Sequence, residues 1–273
     1  MQAKLPQRIV CLTEEPTEIL YRLGEQDRIV GISGFTVRPP QARKEKPKVA
    51  AFTTAKLDKI LELEPDLVVG FSDLQADIAA GLIREGVQVL ITNQRGLNEI
   101  LDNILLLGNM VGAGNRAQAL VDELAANIEQ AREQAASLSR RPRVYFEEWD
   151  EPMISGIRWV SELIAIAGGE DVCADRAQHP DAKRRIIADD NEVIEQQPEI
   201  IIGSWCGKKF QPATVAERPG WDRIPAVRDN QLYEIKSPLI LQPGPAALSD
   251  GLAQLSAIIH QWATNPVGRT ATL

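Results

Sequence analysis

Apolar and polar positions along the chain follow two rhythms, and the rhythms take turns. A continuous apolar run over 8–12 predicts a strand, helical spacing over 17–23 stops at Gly24, and 28–32 reads as a second strand. The order continues with a helix over 56–63 ahead of Pro65, a strand over 66–70, a helix over 75–85, a strand over 87–91 and a helix over 97–111. The run at 66–70 is apolar at successive positions, as in strands buried on both faces of a parallel sheet. Strand and helix in alternation imply βαβ units and an α/β fold.

One stretch is longer than the rest. Over 115–139, Ala117, Leu120, Val121, Leu124, Ala125, Ile128, Ala135 and Leu138 keep the three-and-four spacing of one apolar face, with Asn115 expected as N-cap and Arg140, Arg141 and Pro142 as the stop. About 24 residues of helix span roughly 36 Å. A helix of that length can join two lobes rigidly. Beyond it the earlier order returns: a strand over 143–146, helices over 159–167 and 191–196, strands over 199–203 and 231–235, and a closing helix over 245–262, with the tail beyond Thr264 expected to fray.

The two halves also match residue by residue. Leu61 to Gly70 parallels Ile194 to Gly203 in a helix, Pro, acid, apolar strand, Gly order, and Glu18 to Gly24 parallels Glu162 to Gly168. The expected architecture is two parallel-sheet βα lobes joined by one long rigid helix, with lobes 1–112 and 142–273, the helix at 113–141, and a ligand cleft between the lobes. Ligands of open parallel sheets bind beyond the carboxyl ends of the strands. Those loops hold Thr13 to Glu18, Glu147 to Pro152, Phe71 to Asp73 and Ser204 to Phe210, an acidic and aromatic set with one pair of lysines. Trp149 and Trp205 are expected as cleft rings rather than core, since each follows a predicted strand end; a flat organic ligand could stack there.

Composition narrows the function. A net charge of −8 over 273 residues, without a long Lys/Arg run, argues against nucleic acid. No window reaches the roughly 18 apolar residues of a membrane span. Positions 1–7 lack the pattern of a secretory signal, which predicts a cytoplasmic chain, or a periplasmic one if an export signal has been removed. Three widely spaced cysteines, Cys11, Cys173 and Cys206, suit a reducing compartment. Phosphate-loop, nucleophile-elbow, Cys-x-x-Cys and His-Glu-x-x-His motifs are all missing. Arg38 to Lys48 and Asp181 to Arg185 read as solvated basic loops, and Cys206 as a buried inert thiol. An alternative class remains: a small-molecule enzyme using Cys206 as nucleophile, activated by Lys208 and Lys209, or Glu148 as general base.

The set formed by Arg8 to Leu12, Pro16-Thr17-Glu18, Leu23-Gly24, Ile29 to Ser33, Pro39-Pro40, Leu63 to Val68, Ala167 to Val172 and Pro198 to Ile202 resembles the class III, helical-backbone substrate-binding proteins of bacterial ABC importers. The likeness runs from Arg8 to about Trp262 and is greatest to the cobalamin-binding branch. It implies a non-catalytic, monomeric binder of a corrinoid, ferric siderophore or haem, with little hinge motion and no metal or cofactor of its own. Carried over by position, the ligand contacts are Phe35, Phe52 and Phe71; Trp149, Trp205, Lys208 and Gln242 complete the expected site. The segment 237–243 offers neither the Asp nor the Arg that the cobalamin branch uses there, which leaves another metal chelate open. Only His179 and His260 are available, so the Zn and Mn binding of distant relatives is not expected. Importer relatives dock on a permease through one acid per lobe; Asp58 and Glu192 stand at those positions, and a cytoplasmic sensor that signals through them is a third possibility.

Overall fold

In a computed structural model, which describes residues 4–264, the chain forms two compact units. The first holds the residues up to Leu124 together with Gln242–Pro245, and the second holds Ala125–Leu241 and continues from Ala246. The tail beyond Thr264 lies outside the described residues.

The first unit runs β1 (Ile9–Cys11), α1 (Glu14–Arg22), β2 (Ile29–Ser33), α2 (Ala42–Glu45), β3 (Lys48–Ala50), α3 (Leu57–Leu61), β4 (Leu67–Phe71), α4 (Ala76–Arg84), β5 (Val89–Thr92) and α5 (Leu97–Met110). All its strand pairs are parallel, in the order β3-β2-β1-β4-β5. The central strands are buried on both faces, as their unbroken apolar runs require, and Val10, Leu12, Val49, Ile60, Val68, Ile78 and Leu82 form one core cluster. The long helix α6 occupies Gly114–Ala136, so Asn115 lies inside it rather than capping it. The passage from one unit to the next falls within this helix.

The second unit continues with β6 (Arg143–Asp150), β7 (Met153–Ser155), α7 (Arg158–Ile166), β8 (Glu170–Asp171), α8 (Ala174–Ala177), α9 (Asp190–Gln196), β9 (Ile200–Gly203), α10 (Pro212–Ala216), α11 (Pro225–Arg228), β10 (Leu232–Glu234), α12 (Ser237–Ile240) and α13 (Leu252–Thr264). Its sheet order is β10-β9-β6-β7, with β8 also on β6. The β6–β7 pair is antiparallel, an addition to an otherwise parallel sheet that the residue pattern did not announce. A π-helical stretch, Ala247–Gly251, leads into α13.

The repeat survives at the level of backbone conformation. Glu64 and Gln197, each directly before the matched proline, both adopt left-handed φ values of 44° and 48°. A helical φ/ψ before proline is sterically disfavoured, so each helix must break there. Gly24 and Gly168, which end the other matched pair of helices, have φ of 70° and 96°, a region where a Cβ is costly. The acid after each proline then accepts from the main chain that enters the neighbouring strand: Asp66 Oδ1 from Arg8 N at 2.9 Å, and Glu199 Oε2 from Arg143 N at 3.1 Å.

Candidate functional site

In the second unit the decisive local feature is the length of β6. The expected strand stops at Phe146; the observed one runs to Asp150, because Glu147, Trp149 and Asp150 pair with Ser155, Ile154 and Met153 of β7. Trp149 is therefore a strand residue, not a loop residue. The four-carboxylate loop expected at this place also changes character, because three of its acids are matched by cations from distant segments. Glu147 is fully buried and bound in a fork by Arg218, with Nη1 to Oε2 at 2.6 Å and Nη2 to Oε1 at 2.9 Å. It also accepts from Tyr145 Oη at 2.9 Å and Trp205 Nε1 at 3.0 Å. Burial, and then the Glu147 charge beside it, push the Tyr145 hydroxyl well above the ordinary tyrosine value.

Glu148 pairs with Arg185 at 2.6 Å, and Arg185 also donates to Ser155 O. Arg185 is 2% exposed, so it departs from the expected solvated basic loop at Asp181 to Arg185, in which Lys183 and Arg184 are exposed. A carboxylate clamped in this way is a structural ion rather than a general base. Asp150 accepts from Lys208 Nζ at 2.7 Å, and the same ammonium lies 4.6 Å from the Trp149 ring and 4.9 Å from the Trp205 ring. Lys208 is thus held in an aromatic corner with its own counter-ion, a favourable cation–π arrangement.

Trp205 is only 4% exposed and stands edge-on to Phe210 at 5.0 Å, within a core cluster that includes Tyr145 and Trp221. It belongs to the core, contrary to the expectation of a cleft ring, because Glu147 is available below the surface to satisfy its indole N–H. Trp149 is half-buried and donates to Glu151 O at 2.8 Å. Cys206, expected as a buried thiol, is exposed. Phe210 lies against the end of β9 only because Gly203 has no side chain: a Cβ there would overlap its ring. Gly203→Ala is expected to cost about 1–3 kcal/mol through overpacking, and urea unfolding monitored by tryptophan fluorescence is the check.

In the first unit, α1 begins at Glu14, three residues ahead of the expected start, so the acids after β1 sit in its first turn. Glu14, Glu15 and Glu18 are all buried. Burial pushes the Glu14 and Glu15 carboxyls up to about 7, although Glu14 Oε2 accepts from Val37 N and Glu15 from the Thr13 hydroxyl. Arg38, at the start of the basic loop expected over Arg38 to Lys48, bonds Glu18 Oε1 at 3.0 Å. Phe71 ends β4 and is buried, with the Arg95 guanidinium 4.7 Å from its ring centre. Gln75 links two of the predicted rings: its Oε1 accepts from Phe71 N at 2.9 Å and its Nε2 donates to Phe52 O at 2.8 Å. Phe52 and Gln242 are half-buried, and Phe35 is 51% exposed. Asp58 is exposed in the first turn of α3; Glu192, in the first turn of α9, is bound by Arg176. Among the described residues no group of three or more His, Cys, Asp or Glu is placed to hold a metal ion, and no helix is long and apolar enough to cross a membrane.

Sequence reasoning missed Arg185, Arg218, Tyr145 and Gln75. The Gln75 position has a faint signal, a polar residue four after a strand end, but the arginines lie 37 and 71 positions from their partners and carry none.

A family model described as periplasmic binding protein matches residues 9–239. The chain belongs to this family. As a periplasmic binding protein it is a solute-binding, non-catalytic molecule, so the enzyme alternative built on Cys206 and Glu148 is set aside. It is 25% identical over 266 residues to YvrC, an ABC transporter substrate-binding lipoprotein of Bacillus subtilis, covering 94% of this chain and 81% of the relative. It is 26% identical over 246 residues to the vitamin B12-binding protein of Vibrio cholerae, covering 89% and 85%. The crystal structure of the periplasmic vitamin B12 binding protein BtuF of Vibrio cholerae superposes with a TM-score of 0.76 at 25% identity, covering 95% of this chain and 99% of the other. The periplasmic heme-binding protein RhuT of Roseiflexus sp. RS-1 has the same fold, with a TM-score of 0.82 at 24% identity and coverage of 94% and 99%.

Proposed function

We propose that the protein binds a corrinoid, or a closely similar flat metal chelate, and delivers it to an ABC permease. The observation that carries this reading is the likeness to vitamin B12-binding protein in both sequence and fold. The proposed ligand contacts are Phe35, Phe52, Phe71 and Gln242 of the first unit and Trp149 and Lys208 of the second, with the buried Trp205 backing Lys208. All but Gln242, which follows α12, lie after or at the carboxyl end of a strand, where ligands of parallel sheets bind. Aromatic side chains suit a broad planar ligand because they supply apolar area with few rotamers to fix. Lys208, held over two indoles and paired with Asp150, gives the rim an N–H donor whose position is set before the ligand arrives. The proposed permease contacts are Asp58 and Glu192, Asp58 being the more exposed of the two.

Titration of the purified protein with cobalamin, cobinamide, haem and ferric chelates, followed by calorimetry and visible spectra, is the test. A corrinoid is expected to bind with a Kd below about 100 μM, which is about −5.5 kcal/mol. Saturable binding of haem or a ferric chelate without a corrinoid would replace the corrinoid reading with that chelate. Failure of every ligand would overturn the proposal.

A further inference from the structure

The loop that follows β3 is a narrow turn, with Ala50 bridged to Ala55 and Ala51 N donating to Thr54 O at 2.7 Å. Phe52 stands at its tip, half-buried, beside the exposed Thr53. Main-chain pairs within such a turn fix its shape but not its tilt on the sheet, and surface loops move more than the strands that carry them. The place of the Phe52 ring therefore depends on what ties the tip down.

The tie is Gln75, a fully buried residue whose side-chain amide joins the carboxyl ends of three strands. Its Nε2 donates to Phe52 O at 2.8 Å, after β3, and to Leu12 O at 3.4 Å, directly after β1; its Oε1 accepts from Phe71 N, the last residue of β4, at 2.9 Å. An amide carries two donors and an acceptor oxygen, so these bonds are made together. The backbone prepares the place. Ser72, with φ of 66°, turns the chain after β4, and Gln75 N closes on Ser72 O at 3.2 Å. Gly70 leaves room for the amide, since a Cβ there would overlap Gln75 Oε1. Its counterpart in the repeat, Gly203, makes room for the Phe210 ring instead, so the polar tie is particular to the first unit.

We infer that Gln75 is a positioning residue for ligand binding: through the main chain of Phe52 it fixes the loop tip to the end of β4 and so sets where the Phe52 ring is presented. The inference rests on the assignment of Phe52 as a ligand contact. A ring held in place beforehand spares the ordering cost that a mobile loop would pay on binding. Gln75 itself has no exposed surface, so its effect on affinity passes through the groups it holds.

The test is a double-mutant cycle on the whole protein, joined to fluorine NMR after replacement of its five phenylalanines by 4-fluorophenylalanine. Gln75→Met keeps the length of the side chain and removes its amide hydrogen bonds. It is expected to weaken cobalamin, or haem if the parent binds that instead, by about tenfold, as is Phe52→Ala, and the double variant is expected to bind no worse than Phe52→Ala alone. The spectrum of Phe52→Ala identifies the Phe52 signal by its loss. In the ligand-free protein that signal is expected to shift or broaden in Gln75→Met and to stay in place in Val68→Ala, a core change in β4 that lowers stability without altering the amide. If Gln75→Met does not fold, Gln75→Glu, assayed above neutral pH, takes its place, because a carboxylate still accepts from Phe71 N and donates to nothing. Additive losses in the double variant, an unchanged Kd in the single one, or an unmoved Phe52 signal would each overturn the inference. If the parent binds neither cobalamin nor haem, the corrinoid reading fails on its own, and the Phe52 signal alone decides whether Gln75 places the ring.

Discussion

Arg218→Met is expected to destabilise the protein by about 3–5 kcal/mol, the characteristic cost of leaving one member of a buried ion pair without its partner. Glu147 has no exposed surface and the Arg218 side chain is 14% exposed, so solvent screening does little to soften the loss. Methionine retains much of the volume that packs at 4.5 Å on the Trp221 ring, which separates the charge effect from a cavity effect. After the substitution Glu147 keeps the Tyr145 and Trp205 donors, which are neutral and weaker than a guanidinium fork. The double variant Glu147→Gln with Arg218→Met is expected to recover part of the loss, because no buried charge is then stranded. Urea unfolding of the four proteins closes the cycle. A loss below about 1 kcal/mol in the single variant would show that the pair does not hold this part of the sheet together.

Stability is expected to fall as the pH rises from about 5 to about 8, by an amount of order 3 kcal/mol. The cause lies in Glu14 and Glu15, whose carboxyls are raised from the ordinary glutamate value to about 7 by burial. Between the unfolded and folded values the native state holds protons that the unfolded chain has released, so the stabilisation is complete at the acidic end and lost through pH 7. Cys11 and Cys173, pushed up to about 12 by burial, act in the same direction only at alkaline pH. Glu25, held low by Arg28 and Arg116 despite its burial, acts in the opposite direction only below the ordinary glutamate range. The double substitution Glu14→Gln with Glu15→Gln is expected to flatten the profile and to exceed the parent in stability at pH 8. Chemical unfolding at pH 5, 6.5 and 8 distinguishes the cases, and a parent curve that rises toward pH 8 would refute the assignment.

Much of the architecture was legible because it depends on local pattern. Apolar runs, helical spacing and the Pro-acid-strand-Gly repeat all act within about ten residues, and they located both sheets and the long helix. Element ends were less legible. Helix α1 starts early because the buried environment accepts Glu14 and Glu15 as helical residues, whereas the sequence pattern reads three acids as a polar loop. Strand β6 runs four residues further than expected because β7 folds back beside it, and a cross-strand partner leaves no trace in the residues it extends.

The candidate site divides along the same line. Residue type and position along the strands were enough to single out Phe71, Trp149, Lys208 and the acids around them as candidates, and Phe52 came from the family resemblance. The surroundings of each were decided only by tertiary structure, which buried Trp205 against Phe210, exposed Cys206 and brought Arg185 and Arg218 to Glu148 and Glu147. The physical reason is range. Secondary-structure preference and amphipathic burial are encoded by neighbours in sequence, whereas a buried charge or ring is defined by whatever meets it in space. By itself the sequence determined a two-sheet α/β chain of the periplasmic binding type, and only the folded structure decided which of its polar side chains are spent on one another.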